Sequence, residues 1–190
     1  MATRAVRGEA TPAPKWAYAA NIRRQSSSEE QPVRNPHLHQ VLAANLRIGS
    51  ADMYVLFDSG STTNGISHEA AHVANLDIFQ LKEPMTLQLG CVGSRSRVNF
   101  GTRSAVTIGG RALPCFLDIV NIEHYDVILG TPFLKEYRAV LDFEHNVVRV
   151  GAVEIPALTV AEEHAVLKRR GRTSTNRAPA QLNALVTRSE

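Results

Sequence analysis

The stretch Val55-Leu56-Phe57-Asp58-Ser59-Gly60-Ser61-Thr62 decides how this chain is read. It follows Met53-Tyr54, so an unbroken apolar and aromatic run leads straight into an aspartate. A short run that is apolar on both faces predicts a strand covered on both sides. Asp58 then stands at the C-terminal end of that strand. Gly60 permits a tight turn that brings backbone N–H groups toward the carboxylate, and the Ser59 hydroxyl is placed to brace it. Asp-Ser-Gly alone is ordinary turn chemistry, an Asx-type turn closing a hairpin. Its neighbourhood is what gives it weight.

On both sides of this segment the pattern is one of short strands. Val41–Ile48 reads as a strand ended by Gly49-Ser50, and Ile66-Ser67 as a very short one. Met85–Leu89 alternates, and Val98–Ile108 and Ala112–Val120 flank the turn Gly109-Gly110. Tyr125–Leu129 is a second buried run, stopped by Gly130. Ala139–Phe143 and Val147–Val150 flank Glu144-His145-Asn146, a hairpin signal. Two short helices are expected. One spans His68–Leu76 with Ser67 as N-cap, and one spans Pro132–Tyr137 with proline in its first turn. A further helix over Val160–Arg170 has acids early and bases late, and Gly171 is expected to stop it. Many short strands with no βαβ rhythm indicate an all-β barrel or sandwich.

The chain has 190 residues, 44% of them hydrophobic and 21% charged. That length suits one domain with tails, and the composition excludes full disorder. No apolar run approaches the about 20 residues of a membrane helix, and residues 1–16 lack the apolar stretch of a secretory signal. The net charge of +3 is unevenly spread. Residues 1–36 carry six Lys/Arg against three Asp/Glu, residues 37–160 nine against twelve, and residues 161–190 six against three. A neutral-to-acidic centre argues against a compact nucleic-acid-binding domain, so any nucleic-acid contact is expected through the basic ends only. The expected organisation is a disordered basic segment over 1–36, a folded domain over 37–160 and a basic tail over 161–190. Two cysteines, Cys91 and Cys115, are expected as buried or half-buried free thiols in a reducing compartment. That places the chain inside the cell, in the cytoplasm or, given Lys168-Arg169-Arg170-Gly171-Arg172, the nucleus.

Apolar-Asp-Ser-Gly-Ser after a buried strand resembles the active-site loop of aspartic proteases. Val127-Ile128-Leu129-Gly130 resembles the apolar-apolar-Gly motif that packs against that loop in retropepsins. Tyr125 through Leu134, and Leu87 through Thr102, are similar to the proteases of gypsy-type LTR retrotransposons. The resemblance covers residues 40–155. It implies a retropepsin-like acid-protease barrel half with one or two short helices, active as a C2 homodimer. Asp58 would be catalytic, with Ser59, Gly60 and Ser61 completing the loop and Ile128, Leu129 and Gly130 supporting it. A flap over Leu87–Phe100 would close on substrate, with Val92, Gly93, Ser94 and Arg95 near its tip. No Cys-x-x-Cys knuckle or polymerase motif is present, so a protease segment of such an element, or a stand-alone descendant, is expected.

Counting sharpens this. Asp52, Asp77, Asp118, Asp126 and Asp142 are not followed by Ser/Thr-Gly. One chain therefore supplies one such carboxylate, and a pair needs a second copy on a twofold axis. The expected partners are the chain itself and a polypeptide substrate, with no membrane and no cofactor. Ser61 is expected to donate a hydrogen bond to the Asp58 carboxylate and favour its charged form. The expected role is a homodimeric aspartic endopeptidase. The alternative is a catalytically inactive retropepsin-like domain kept for dimerisation or peptide binding. A third reading starts from His68-Glu69-Ala70-Ala71-His72, which matches the H-E-x-x-H zinc helix, with Glu83, His124 or Glu136 as third ligand. Three fixed residues match often by chance, so surface histidines on a structural helix are the plainer expectation. Asp142 is expected to be structural, and Arg95 and Arg97 to form a solvated face.

Overall fold

The apolar runs become strands, and the strands close on themselves. A computed structural model describes Val33, residues 35–88 and residues 95–175, with side chains through residue 168. Ten strands are described: β1 (Ala43–Ile48), β2 (Ala51–Phe57), β3 (Gly65–Ile66), β4 (Ile78–Gln88), β5 (Arg95–Ile108), β6 (Arg111–Ile119), β7 (Val127–Leu129), β8 (Val140–Asp142), β9 (Val147–Val150) and β10 (Val153–Pro156). Three α-helices accompany them: α1 (His68–Val73), α2 (Thr131–Glu136) and α3 (Val160–Thr175). The expected mostly-β architecture is the one observed.

Seven strands form one sheet in the order β1-β2-β7-β3-β6-β5-β4. β1 also pairs with β5 through Arg47↔Thr107 and Ile48↔Val106, which bends the sheet into a barrel. β4 remains outside that ring as the outer strand of a hairpin with β5. A small sheet, β10-β9-β8, adds Val148 and Ile155 to the same core. Inside, Ile48, Val55, Ile66, Val106, Leu117, Val127, Leu129 and Phe133 are fully buried. Burial of such side chains contributes roughly 1.5–3 kcal/mol each relative to exposure. As expected, β2 is covered on both faces: Met53, Tyr54, Val55 and Phe57 are buried.

Local chemistry explains the joints. β5 and β6 meet at Ile108↔Arg111, leaving Gly109 (φ 55°) and Gly110 (φ 77°) as a two-residue turn. Positive φ at both positions is the requirement of a type I′ turn, which glycine meets without a steric penalty. Ser67 caps α1, its hydroxyl accepting from Ala70 N–H at 3.1 Å.

Three expectations need correction. β4 begins at Ile78 rather than Met85. The strand runs through Lys82-Glu83-Pro84 with a register shift between Gln80 and Met85, where Pro84 has no N–H to offer a ladder. β10 was not anticipated. Helix α3 does not stop at Gly171 but continues to Thr175. A lone glycine costs a helix about 1 kcal/mol relative to alanine without removing a hydrogen bond. The start of α3 is firm: the Thr159 hydroxyl accepts from Glu162 N–H at 3.3 Å, and the Glu162 carboxylate accepts from Thr159 N–H at 2.8 Å. This reciprocal capping box was present in the sequence as Thr-x-x-Glu. Helix α3 also touches the barrel, where the Tyr54 hydroxyl donates to Glu163 at 2.9 Å.

Candidate active site

Asp58 leaves the end of β2 with its backbone N–H donating to the Leu129 carbonyl at 3.0 Å. Its Oδ1 accepts from Gly60 N–H at 2.8 Å, and its carbonyl accepts from Ser61 N–H at 3.3 Å. The side chain is half-buried. The turn geometry that Asp-Ser-Gly commonly adopts is therefore present, with the carboxylate presented at its mouth.

The loop is held from the other side by the segment at 127–133. β7 runs parallel to β2, with Leu56↔Ile128 and Phe57↔Leu129 in register. Thr131 N–H donates to the Ser61 carbonyl at 2.8 Å. A Cβ on Gly130 would collide with the Thr63 carbonyl oxygen and stand 2.7 Å from that of Ser61. The loop and Ile128-Leu129-Gly130 thus meet backbone to backbone, as the motif implied, and only glycine fits at 130.

Asn64 completes this support, and the sequence reading missed it. It is buried, and its Oδ1 accepts from Gly130 N–H at 3.0 Å and Phe133 N–H at 3.3 Å. Helix α2 has no capping side chain at its own N-terminus. Asn64 supplies that cap from a distant part of the chain, satisfying two N–H groups that would otherwise be orphaned. A polar amide directly before Gly65-Ile66 was the available signal.

The serines behave differently from expectation. Ser59 is exposed, and the bonds that brace the loop come from Gly60, Ser61, Thr131 and Asn64 instead. The Ser61 hydroxyl donates to the Thr63 carbonyl at 2.8 Å. It is thereby committed to the loop backbone and does not donate to Asp58. A hydroxyl two residues from an open carbonyl in a tight loop forms this local bond readily.

Beside the loop lies a cavity of about 560 Å³. It is lined by Thr62 and Thr63 of the loop, by Leu81, Glu83, Met85, Thr86, Leu87 and Gln88 of β4, and by Phe116 and Asp118 of β6. Asp118 is buried, and its Oδ2 accepts a hydrogen bond from the Thr63 hydroxyl. Burial pushes the Asp118 carboxyl above the usual range, and the Thr63 bond pulls against that rise. An acid inside the apolar run Cys-Phe-Leu-Asp-Ile-Val was the visible signal. Tyr125 packs on Tyr54 with ring centroids 5.1 Å apart. Its hydroxyl is pushed up by burial first, then by the negative charges of Glu163 and Asp58.

The expected flap is the hairpin of β4 and β5. Pairing runs out to Gln88↔Arg95, and Arg95 is the first residue of β5. It is exposed, as is Arg97. Val92, Gly93 and Ser94, with Cys91, lie outside the described residues. Cys115 is a buried free thiol, pushed up to about 12 by burial and by the charge of Glu136.

His68, Glu69 and His72 are exposed on α1. Among the described residues no group of three His, Cys, Asp or Glu is arranged to hold a metal ion, so Glu83, His124 and Glu136 do not complete a zinc site with them. Asp142 is structural, as expected. Its carboxylate accepts from Glu144 and His145 N–H at 3.0 Å each, and from Arg149 at 2.6 Å.

Comparison with known proteins agrees with this geometry. The family model described as "Retroviral aspartyl protease" matches residues 24–154. The UBA domain-containing protein Mud1 of Schizosaccharomyces pombe is 29% identical over 130 residues, covering 64% of this chain and 36% of that protein. DNA damage-inducible protein 1 of Neurospora crassa is 26% identical over 138 residues, covering 73% of this chain and 31% of that protein. The chain thus spans about a third of the length of these curated relatives. Among solved structures, the retroviral protease-like domain of Ddi1 from Leishmania major superposes with a TM-score of 0.51 at 17% identity. That likeness covers 63% of this chain and 95% of that domain, and it shows the retropepsin-like fold.

Proposed function

This chain belongs to the retroviral aspartyl protease family, and from that premise we propose that it is a homodimeric aspartic endopeptidase. The observation that carries the proposal is the Asp58 carboxylate. It is delivered by a buried strand, tied at one oxygen to Gly60 N–H at 2.8 Å, and held in place by the Gly130 and Asn64 contacts. Two such loops facing across a twofold axis bring two carboxylates together. Like charges at that range cannot both ionise cheaply, so the pair shares one proton, and its titration belongs to both residues jointly. The charged Asp58 takes a proton from water while the protonated one polarises the scissile carbonyl. The water oxygen bonds to the carbonyl carbon, and the resulting tetrahedral centre collapses as the leaving nitrogen takes a proton. No covalent acyl-enzyme forms.

The partners in this reading are a second copy and a polypeptide. The setting is intracellular, in cytoplasm or nucleus, without membrane attachment, and nucleic acid would meet only the basic ends flanking a folded 37–160 domain. Descent from a gypsy-type retroelement is supported by Tyr125–Leu134 and by Leu87–Thr102, although the curated relatives carry the names Mud1 and DNA damage-inducible protein 1.

Peptide cleavage at high protein concentration, from about pH 3.5 to about pH 7.5 around the carboxylate range, tests the proposal. Activity that Asp58→Asn removes and a chelator leaves intact is expected. A folded dimer that binds peptides without cutting them contradicts it and favours the inactive dimerisation or peptide-binding domain.

A further inference from the structure

Burying a carboxylate without a countercharge is costly, and Asp118 is 4% exposed. Among the described residues it forms no ion pair, and its bonded side-chain partner is the neutral Thr63 hydroxyl. Arg103 pairs with Phe116 across β5 and β6, two residues along from the Gly101↔Asp118 pair. Its guanidinium lies over the Phe116 ring, 5.6 Å from the centroid, rather than on the carboxylate. Asp118 is not sealed in the core, however. It lines the cavity beside the active-site loop, whose walls carry the apolar stems of Leu81, Met85 and Phe116. Glu83, exposed on β4, adds a second acid to the same lining.

Apolar side chains beside a buried carboxylate, with a second, exposed carboxylate in the same lining, suit one class of side chain. A lysine or arginine has a hydrocarbon stem that packs along apolar surface and a cationic head that seeks a charge partner. Aliphatic side chains would fill the walls but leave Asp118 without its countercharge. Acidic ones would meet two like charges.

We propose that this cavity is a substrate subsite selective for a basic side chain, with Asp118 as the specificity-determining residue and Glu83 as its outer support. The proposal rests on the cleft being a peptide site, and it names the class of peptide. The raised Asp118 carboxyl is consistent with a group whose countercharge arrives with the ligand.

The test uses binding rather than turnover, so that it stands apart from catalysis. Fluorescein-labelled octapeptides carry lysine, norleucine or glutamate at each position in turn, and their affinities are measured by fluorescence polarisation on the full chain bearing Asp58→Asn. At one position lysine is expected to bind roughly 10-fold or more tighter than norleucine, the range of a charge-assisted bond in a desolvated site. Asp118→Asn on the same background brings that ratio near one and leaves norleucine binding within about twofold. The amide still accepts from Thr63 and keeps the side chain's shape. Glu83→Lys, at an exposed position, serves as the second variant and lowers the lysine preference by about two- to fivefold. Equal binding of lysine and norleucine at every position overturns the proposal, as does a preference that survives Asp118→Asn. Failure of the chain to hold any of the peptides also overturns it. If the wild-type chain shows the lysine preference but cuts none of the peptides, the catalytic reading falls and the subsite stands.

Discussion

An aspartate opens the turn after β2 and another ends β8, and the two carboxylates are used in opposite ways. Asp142 is saturated: Glu144 N–H and His145 N–H donate to Oδ1, while the His145 ring, at 2.9 Å, and Arg149, at 2.6 Å, meet Oδ2. Those donors hold its carboxyl far below the usual range, the His145 backbone bond contributing most. Asp58 receives Gly60 N–H on Oδ1, and among the described residues nothing donates to Oδ2. Its loop is fixed instead through backbone contacts with 129–131 and through Asn64. A carboxylate that serves the fold spends its acceptors on the fold. One that serves chemistry is positioned through its backbone and keeps an oxygen open.

The same amide substitution separates the two most widely. Asp58→Asn is expected to lower cleavage by roughly a thousandfold or more with the Tm nearly unchanged. An Asp58→Asn chain that still cleaves would erase the distinction. The next effect is Gly130→Ala. Its Cβ meets two backbone oxygens that cannot rotate away, which costs about 3 kcal/mol, seen as a Tm fall of roughly 6–12 °C. An alanine tolerated there would mean the loop is not held as described. Asn64→Ala leaves the buried N–H groups of Gly130 and Phe133 without their acceptor, at about 2–3 kcal/mol by thermal or urea unfolding. Cleavage should fall further than the lost folded fraction explains, because the loop loses its tie to α2.

Asp142→Asn acts on stability through pH. The folded Asp142 carboxyl lies below its unfolded value, so its contribution is present above the unfolded pKa of about 3.9 and is lost as pH falls toward the folded one. The Tm gap between wild type and Asp142→Asn should be full at neutral pH and close below about pH 4. Cleavage at neutral pH should be unaffected. The smallest effect is Ser61→Ala. Its hydroxyl serves Thr63 rather than Asp58, so about 1 kcal/mol of stability is expected to go while the acidic limb of the rate profile stays in place. A shifted limb would restore the Ser61–Asp58 bond that the sequence alone suggested.

The parts legible in the sequence were those written locally. Met53–Phe57 announced a covered strand, Ser67 a cap and Gly109-Gly110 a two-residue turn, while the meeting of Asp58-Ser-Gly with Ile128-Leu129-Gly130 was implied only by the retropepsin resemblance. Polar partnerships between distant segments were not legible. The amide before Gly65-Ile66 marks Asn64 as a polar residue in an apolar setting, but does not say that it will cap α2 from 66 residues away. Nor does Asp118 announce its bond to Thr63, because such pairings exist only once β3, β6 and β7 are neighbours. Ser59 and Ser61 were misread for a related reason. A hydroxyl near a carboxylate in sequence has several acceptors within reach: that of Ser61 went to the Thr63 carbonyl, and Ser59 faces solvent. Gly171 was read as a stop because a local breaker looks final until a firm helix start carries the chain past it.

The central claim is that Asp58 works only as one of a pair from two copies. Subunit mixing tests it most directly. Wild-type chain is mixed with an equal amount of Asp58→Asn chain at fixed total protein, allowed to exchange, and assayed for peptide cleavage. Random pairing leaves about a quarter of the dimers with two aspartates, so activity should fall to about a quarter of that of an all-wild-type sample. Activity that merely halves would mean that each chain acts alone, and would contradict the account.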